Sequence, residues 1–157
     1  MWTLSAIGRG GMIWLAIDAI IAWRRARWRD FAALAGALLL ATIAADWILK
    51  PLIDRTRPFD AIPGVAVIGG RPHDASFPSG HAANAFAAAL VLSATAPRGR
   101  IVWWLLAAAI AYSRVYLGVH YPSDVVGGAL VGAICGAIAA AARARLDNCA
   151  NVYRPRR

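Results

Sequence analysis

The sequence contains no glutamate. All eight of its acidic residues are aspartate, set against 17 Lys+Arg, and the formal net charge over 157 residues is +9. An excess of that size points to an anionic partner. The basic residues nevertheless lie between apolar runs rather than along one polar face, which excludes the nucleic-acid binder that charge alone would suggest. Cysteine is nearly missing too: Cys135 sits inside an apolar run and Cys149 in the basic tail, so neither a disulfide framework nor a metal cluster can be built from them. No internal repeat of roughly 20 to 50 residues is visible, and no low-complexity tract beyond alanine richness. The opening "MWTLSAIGRGG" lacks an early basic region and a clear small-residue cleavage site, so the first apolar run is expected to stay in the protein.

What the chain has in quantity is apolar surface. Hydrophobic residues make up 60%, mean hydropathy is +0.54 and there are seven tryptophans, more than a soluble domain of this size carries. A bilayer span needs about 20 mostly apolar residues, and five candidates appear at roughly 4–23, 31–49, 81–96, 101–118 and 121–142. Backbone polar groups must be satisfied within lipid, so all five are expected to be helical. The fold class expected is an all-α integral membrane bundle of about five transmembrane helices with a long outward-facing loop, a single domain over 1–157. "WRRARWR" after the first run has the make-up of an interfacial anchor. In the last run Gly128, Gly132 and Gly136 recur every four residues, a smooth face better suited to packing inside the bundle than to dimerisation. Monomer and dimer both stay open.

Topology follows from the arginines. In a five-span chain the 23–30 and 97–100 loops and the tail share one side and hold eleven basic residues, against six opposite, at Arg9, Lys50, Arg55, Arg57, Arg71 and Arg114. The bias of positive residues toward the cytoplasm then puts the tail inside and the connection from Pro51 to Pro78 outside. That connection is too long to be a turn and too rich in Pro, Gly and Asp to be a span.

Three polar stretches end up on the outward side: "KPLIDRTRP" at 50–58, "PSGH" at 78–81 and "SRVYLGVHYPSD" at 113–124. Singly, each cation could be a snorkelling side chain. Together, Lys50, Arg57 and Arg114 converge with two histidines, a serine and an aspartate at span ends, which is the composition of an oxyanion site. Pro78 and Ser79 lead into a helix start at Gly80 and His81, whose unpaired N–H groups favour phosphate. Ser79 serves equally as a helix cap or as a phosphoryl ligand, and Gly80 permits close backbone approach. His120 and Asp124 stand four apart with Pro122 in the first helical turn, so the carboxylate is expected to accept from Nδ1–H and leave Nε2 as a lone-pair nucleophile. Asp46, four residues before Lys50, is expected to hold that ammonium in place, the alternatives being interfacial water or a pair with Arg9 or Arg55.

Lys50 with Arg57-Pro58, then Pro78-Ser79-Gly80-His81, then Ser113-Arg114 with His120 and Asp124, resembles the three-part signature of the type 2 phosphatidic acid phosphatase and vanadium haloperoxidase superfamily. The match runs from Lys50 to Asp124 without a substitution, and an apolar chain with short loops is similar to the membrane lipid phosphatase branch. The resemblance implies that Lys50, Arg57, Arg114, Ser79 and the Gly80 amide bind phosphate, that His120 is the nucleophile and Asp124 its orienting group. It also implies that His81 protonates the leaving oxygen and then activates water, with no metal and no cofactor. Membrane members usually have six spans, and the one missing here falls at the N-terminus.

The function expected is therefore hydrolysis of a lipid phosphate or diphosphate of the prenyl type, through a phosphohistidine, at the outer face of the bacterial cytoplasmic membrane. Phosphatidate or phosphatidylglycerophosphate is the alternative substrate class. A non-catalytic anion-binding membrane protein or transporter is the alternative of another kind, and it has no use for an oriented nucleophile.

Overall fold

In the computed structural model, residues 11–152 are described; the part of the first apolar run before Gly11, with Arg9, lies outside them. Helix α1 spans Met12–Arg25, α2 Trp28–Thr42, a π-helical segment Ile43–Leu49, α3 Lys50–Ile53, α4 Pro58–Ala61, α5 Gly80–Thr95, α6 Arg100–Tyr116 and α7 Pro122–Val152. Among the described residues there is no strand, as a chain that must satisfy its backbone in lipid requires.

Helix α5 is the axis of the bundle, with α7, α6 and α2 packed around it. Its sequence explains why: Ala82, Ala83, Ala85, Ala87, Ala88 and Ala89, with Val91 and Leu92, are all buried. A helix apolar on every side is one enclosed on every side. Short side chains let its neighbours come close. On α7 a β-carbon at Gly128 would run into the carbonyl of Ser79, just before α5, and one at Gly132 or Gly136 into the Ala83 or Ala87 carbonyl of α5. The glycine face is thus used within the bundle. Two residues out of phase, Val126, Leu130, Ile134 and Ile138 of the same helix are exposed, a lipid-facing ridge opposite the packed one.

Among the described residues, length and composition alone qualify two stretches as bilayer spans, Trp28–Ala61 and Pro122–Cys149, of the five candidate runs. The reason for α5 and α6 is length, since they have 16 and 17 residues, short of about 20; the first run reaches outside the described residues. The expected boundaries of the second, third and fourth runs hold within a few residues, α7 runs on past 142 to Val152, and the start of the first run, expected at residue 4, lies outside the described residues. Trp23 and Trp28 are exposed at the α1–α2 turn, where an aromatic belt would lie.

The π segment had no counterpart in the sequence reading. The Lys50 amide bonds the Ala45 carbonyl, five residues back, in place of the usual four. Pro51 follows at once and has no N–H to donate, so the wider turn takes up the missing bond and re-aims the end of the helix.

Gly132→Val should cost about 1–3 kcal/mol by overpacking the α5–α7 contact. The thermal midpoint in detergent should fall by several degrees, whereas Gly36→Ala, with nothing near its added carbon, should leave it unchanged or raise it.

Candidate active site

A cavity of about 260 Å³ opens at one end of the bundle and is lined by Lys50, Arg57, Gly80, His81, Arg114 and His120, together with Asp46 and Asp74. Six of the eight residues expected from sequence meet there. The other two, Ser79 and Asp124, are fully buried behind it. Ser79 accepts from the Ala82 amide at 3.4 Å and so caps α5, and its own amide donates to the Asp124 carbonyl at 2.9 Å, tying the start of α5 to the start of α7.

His120 lies in the 117–121 segment between α6 and α7 and is 4% exposed. Its Nδ1 is 2.8 Å from the Ser76 carbonyl. A carbonyl only accepts, so Nδ1 carries the proton and Nε2 keeps its lone pair. Arg57 Nη1 at 3.4 Å from Nε2 agrees, since a guanidinium only donates. The tautomer is the one expected, but its cause differs. Asp124 Oδ2 is 3.6 Å from Nδ1, beyond hydrogen-bond reach, and contributes charge rather than the primary bond.

The Asp124 carboxylate is itself held from three directions: by Ser76 Oγ at 2.6 Å and the Tyr121 amide at 2.9 Å on one oxygen, and by Arg55 Nη1 at 2.7 Å on the other. Arg55 also lies over the Tyr121 ring, 4.1 Å from its centroid. Ser76 is the hub of this network, because its amide donates to the Arg55 carbonyl at 2.8 Å while its hydroxyl holds Asp124 and its carbonyl holds His120. Sequence reasoning passed over both residues. Arg55 sat two places from Arg57 inside the same motif, and that proximity was the available signal; Ser76 offered none, since its role comes from backbone groups.

Lys50 is buried between two carboxylates. Asp46 Oδ1 is 2.5 Å from its Nζ, as the four-residue spacing led one to expect, and Asp74 Oδ2 is also ion-paired to it. Gly80 serves this pair, because a β-carbon there would stand 2.6 Å from Asp46 Oδ1. Close by, Thr42 and Asn84 exchange side-chain hydrogen bonds of 3.2 and 3.3 Å between α2 and α5, a polar contact that holds helices together within lipid.

Electrostatics around His120 push one way. Burial drives its pKa below the ordinary 6.5, and the Arg57 and Arg114 charges add to that against the opposing pull of Asp124. For Asp74 burial would raise the carboxyl, but hydrogen bonds and charge from Lys50 and Arg57 outweigh it and hold it at about 2. The site therefore keeps an uncharged imidazole beside guanidinium and ammonium groups, which suits attack on an anion.

Residues 31–147 match the PAP2 superfamily, and the chain belongs to it. A decaprenylphosphoryl-5-phosphoribose phosphatase of Mycobacterium tuberculosis is 41% identical over 128 residues, 82% of this chain and 69% of that protein. An undecaprenyl-diphosphatase of Sulfolobus acidocaldarius is 31% identical over 82% of this chain and 62% of its own length. The crystal structure of Aquifex aeolicus LpxE superposes with a TM-score of 0.73 at 33% identity, over 87% of this chain and 82% of that one. The protein is a membrane-associated lipid phosphatase of this superfamily.

The sign of the histidine shift fixes a pH dependence. The unfolded chain takes up a proton near 6.5 while the folded ring resists it, so His120 leaves stability untouched above that pH and subtracts from it as pH falls below. In ring NMR, the signal lost in His120→Gln should titrate below 6.5. Thermal midpoints in detergent should drop on acidification more steeply in the wild type than in that variant; equal slopes would overturn the assignment.

Proposed function

We propose that the chain removes the terminal phosphate of a prenyl-type lipid phosphate or diphosphate at the outer face of the cytoplasmic membrane, by way of a phosphohistidine. The observation that carries this reading is His120: a buried, uncharged ring with Nδ1–H on a carbonyl and Nε2 beside Arg57, at the wall of a cavity that Lys50, His81 and Arg114 share. A site that only bound anions would need the cations but not the fixed tautomer.

In the first step Nε2 attacks phosphorus as the bond to the leaving oxygen breaks, and His81 gives that oxygen its proton. In the second, His81 takes a proton from water, the oxygen attacks phosphorus, the P–N bond breaks, and phosphate leaves with both histidines restored. Lys50, Arg57 and Arg114 stabilise the charge on the equatorial oxygens, with the start of α5 at Gly80 facing the same cavity. Asp124 and its partners Ser76 and Arg55 hold the ring and stabilise the cation it becomes. This scheme routes no step through a metal. Prenyl substrates are favoured because relatives at 41% and 31% identity carry prenyl names; phosphatidate and phosphatidylglycerophosphate remain the alternative, to be separated by assay.

Turnover by the purified chain on a panel of these lipid phosphates should persist in excess EDTA, be inhibited by vanadate, and vanish in His120→Ala. Asp124→Asn should retain more activity than that, with a loss smaller than the roughly 10⁴ of a triad aspartate that sets its histidine's tautomer, because the Ser76 carbonyl still holds Nδ1–H. Strict magnesium dependence, or an active His120→Ala, would rule out the scheme.

Orientation follows from eleven basic residues on one side against six on the other. A cysteine introduced as Asp60→Cys, in a chain whose own Cys149 is replaced by serine, should react with an impermeant maleimide from outside the cell. Labelling only from the cytoplasmic side would invert the topology and move the substrate pool to the inner leaflet.

A further inference from the structure

Arg57 has five N–H donors, and each meets an acceptor on the protein. Nε donates to the Asp74 carbonyl at 2.8 Å, Nη1 to the Val119 carbonyl at 2.7 Å and to His120 Nε2 at 3.4 Å, and Nη2 to Asp74 Oδ1 at 2.8 Å and the Ala75 carbonyl at 3.3 Å. The second Asp74 oxygen is ion-paired to Lys50. One carboxylate thus bridges two of the cations that a phosphoryl group would use. Arg57 has no donor to offer a substrate oxygen until one acceptor yields.

Three of the five acceptors are backbone carbonyls and do not move away, and a fourth, His120 Nε2, leaves Arg57 only when its lone pair turns to phosphorus. The Asp74 side chain differs. It is 51% exposed, whereas the side chains of Lys50 and Arg57 are 10% and 4% exposed. It stands on the irregular 62–79 connection, at the border of a second cavity of about 450 Å³ lined by Thr56, Arg71 and His73 as well as by Arg57 and Asp74. The carboxylate has room to turn out of the phosphate site and a guanidinium nearby to turn toward.

We propose that Asp74 is a specificity-determining residue: a tethered carboxylate that competes with the substrate for Lys50 and Arg57, admitting a dianionic terminal phosphate and shutting out the singly charged phosphodiester. The proposal rests on the lipid phosphatase reading above. A carboxylate on a short tether faces its cations at an effective concentration on the order of millimolar or more. A terminal phosphate carries about −1.5 to −2 at neutral pH and offers charged oxygens to Lys50, Arg57 and Arg114 together, so it displaces the carboxylate. A phosphodiester carries a single charge, no more than Asp74 does, and gains nothing by the exchange. The discrimination has a purpose at a bilayer edge, where phosphodiester headgroups vastly outnumber any lipid phosphate and would otherwise crowd a cationic pocket.

The test uses the full chain in detergent, with Asp74→Asn and Asp74→Ser as variants. Calorimetric titration at pH 8 compares orthophosphate with dimethyl phosphate, and turnover is followed with and without phosphatidylglycerol in the micelle. The wild type should bind orthophosphate and reject dimethyl phosphate. Both variants should bind orthophosphate roughly tenfold tighter, the equivalent of one charge-assisted contact no longer contested, and should take up dimethyl phosphate. Their KM should fall, and phosphatidylglycerol should become a competitive inhibitor. Orthophosphate affinity unchanged or weakened in both variants would overturn the proposal and make Asp74 an organiser of the two cations instead. A chain that shows the binding difference but hydrolyses no lipid phosphate would refute the catalytic reading alone, and one that hydrolyses them with all variants alike would refute only the role of Asp74.

Discussion

A buried guanidinium has to be satisfied on all sides, and the outward face of this protein is arranged around that requirement at Arg57. The side chain is 4% exposed, and a charge so far from water is tolerated only when its donors are met. Its partners come from the 74–75 stretch and from the 119–120 stretch, two connections far apart in the chain. Arg57 therefore does two things with one group. It fastens the long outward connection to the segment carrying His120, and it places a positive charge against the nitrogen proposed to attack phosphorus. Neither role can be altered without the other.

The rest of the site depends on how closely helices approach one another. Alanine along α5 and glycine along α7 bring backbones near contact, so the start of α5 and the start of α7 touch through the Ser79 amide and the Asp124 carbonyl. Motif residues separated by more than 40 positions then share one wall. The π turn after α2 brings Lys50 to the same cavity from a third direction. Gly80 fits both themes, since its bare Cα leaves space for the Asp46 carboxylate beside Lys50.

Aspartate, the sole acidic residue type, is used economically around the site. Asp46 and Asp74 flank Lys50, Asp74 also meets Arg57, and Asp124 meets Arg55. Asp46 and Asp124 thereby hold Lys50 and Arg55 in place through short side chains, while the half-exposed Asp74 carboxylate contacts Lys50 and Arg57 from the open side. The arrangement leaves His120 surrounded by more positive than negative influence, which together with burial keeps the ring neutral. Binding of an anion would complete the balance of charge.

Much of this was legible in the residue order. The all-helical class followed from hydropathy, because lipid leaves the backbone few alternatives, and six cavity-lining residues followed from types whose chemistry is specific to oxyanions. Asp46 could be paired with Lys50 because spacing along one helix is a local property. The tertiary structure decided what depends on groups distant in sequence. Ser76 fixes the His120 tautomer through its carbonyl, and a backbone oxygen leaves no mark on residue identity. Asp124 was expected on Nδ1 and stands 3.6 Å away, because helix spacing sets which residues are neighbours but not which of several donors wins a carboxylate. Asp74 could not be anticipated at all: its carboxylate reaches Lys50 across 24 residues of irregular chain, and no periodicity relates the two.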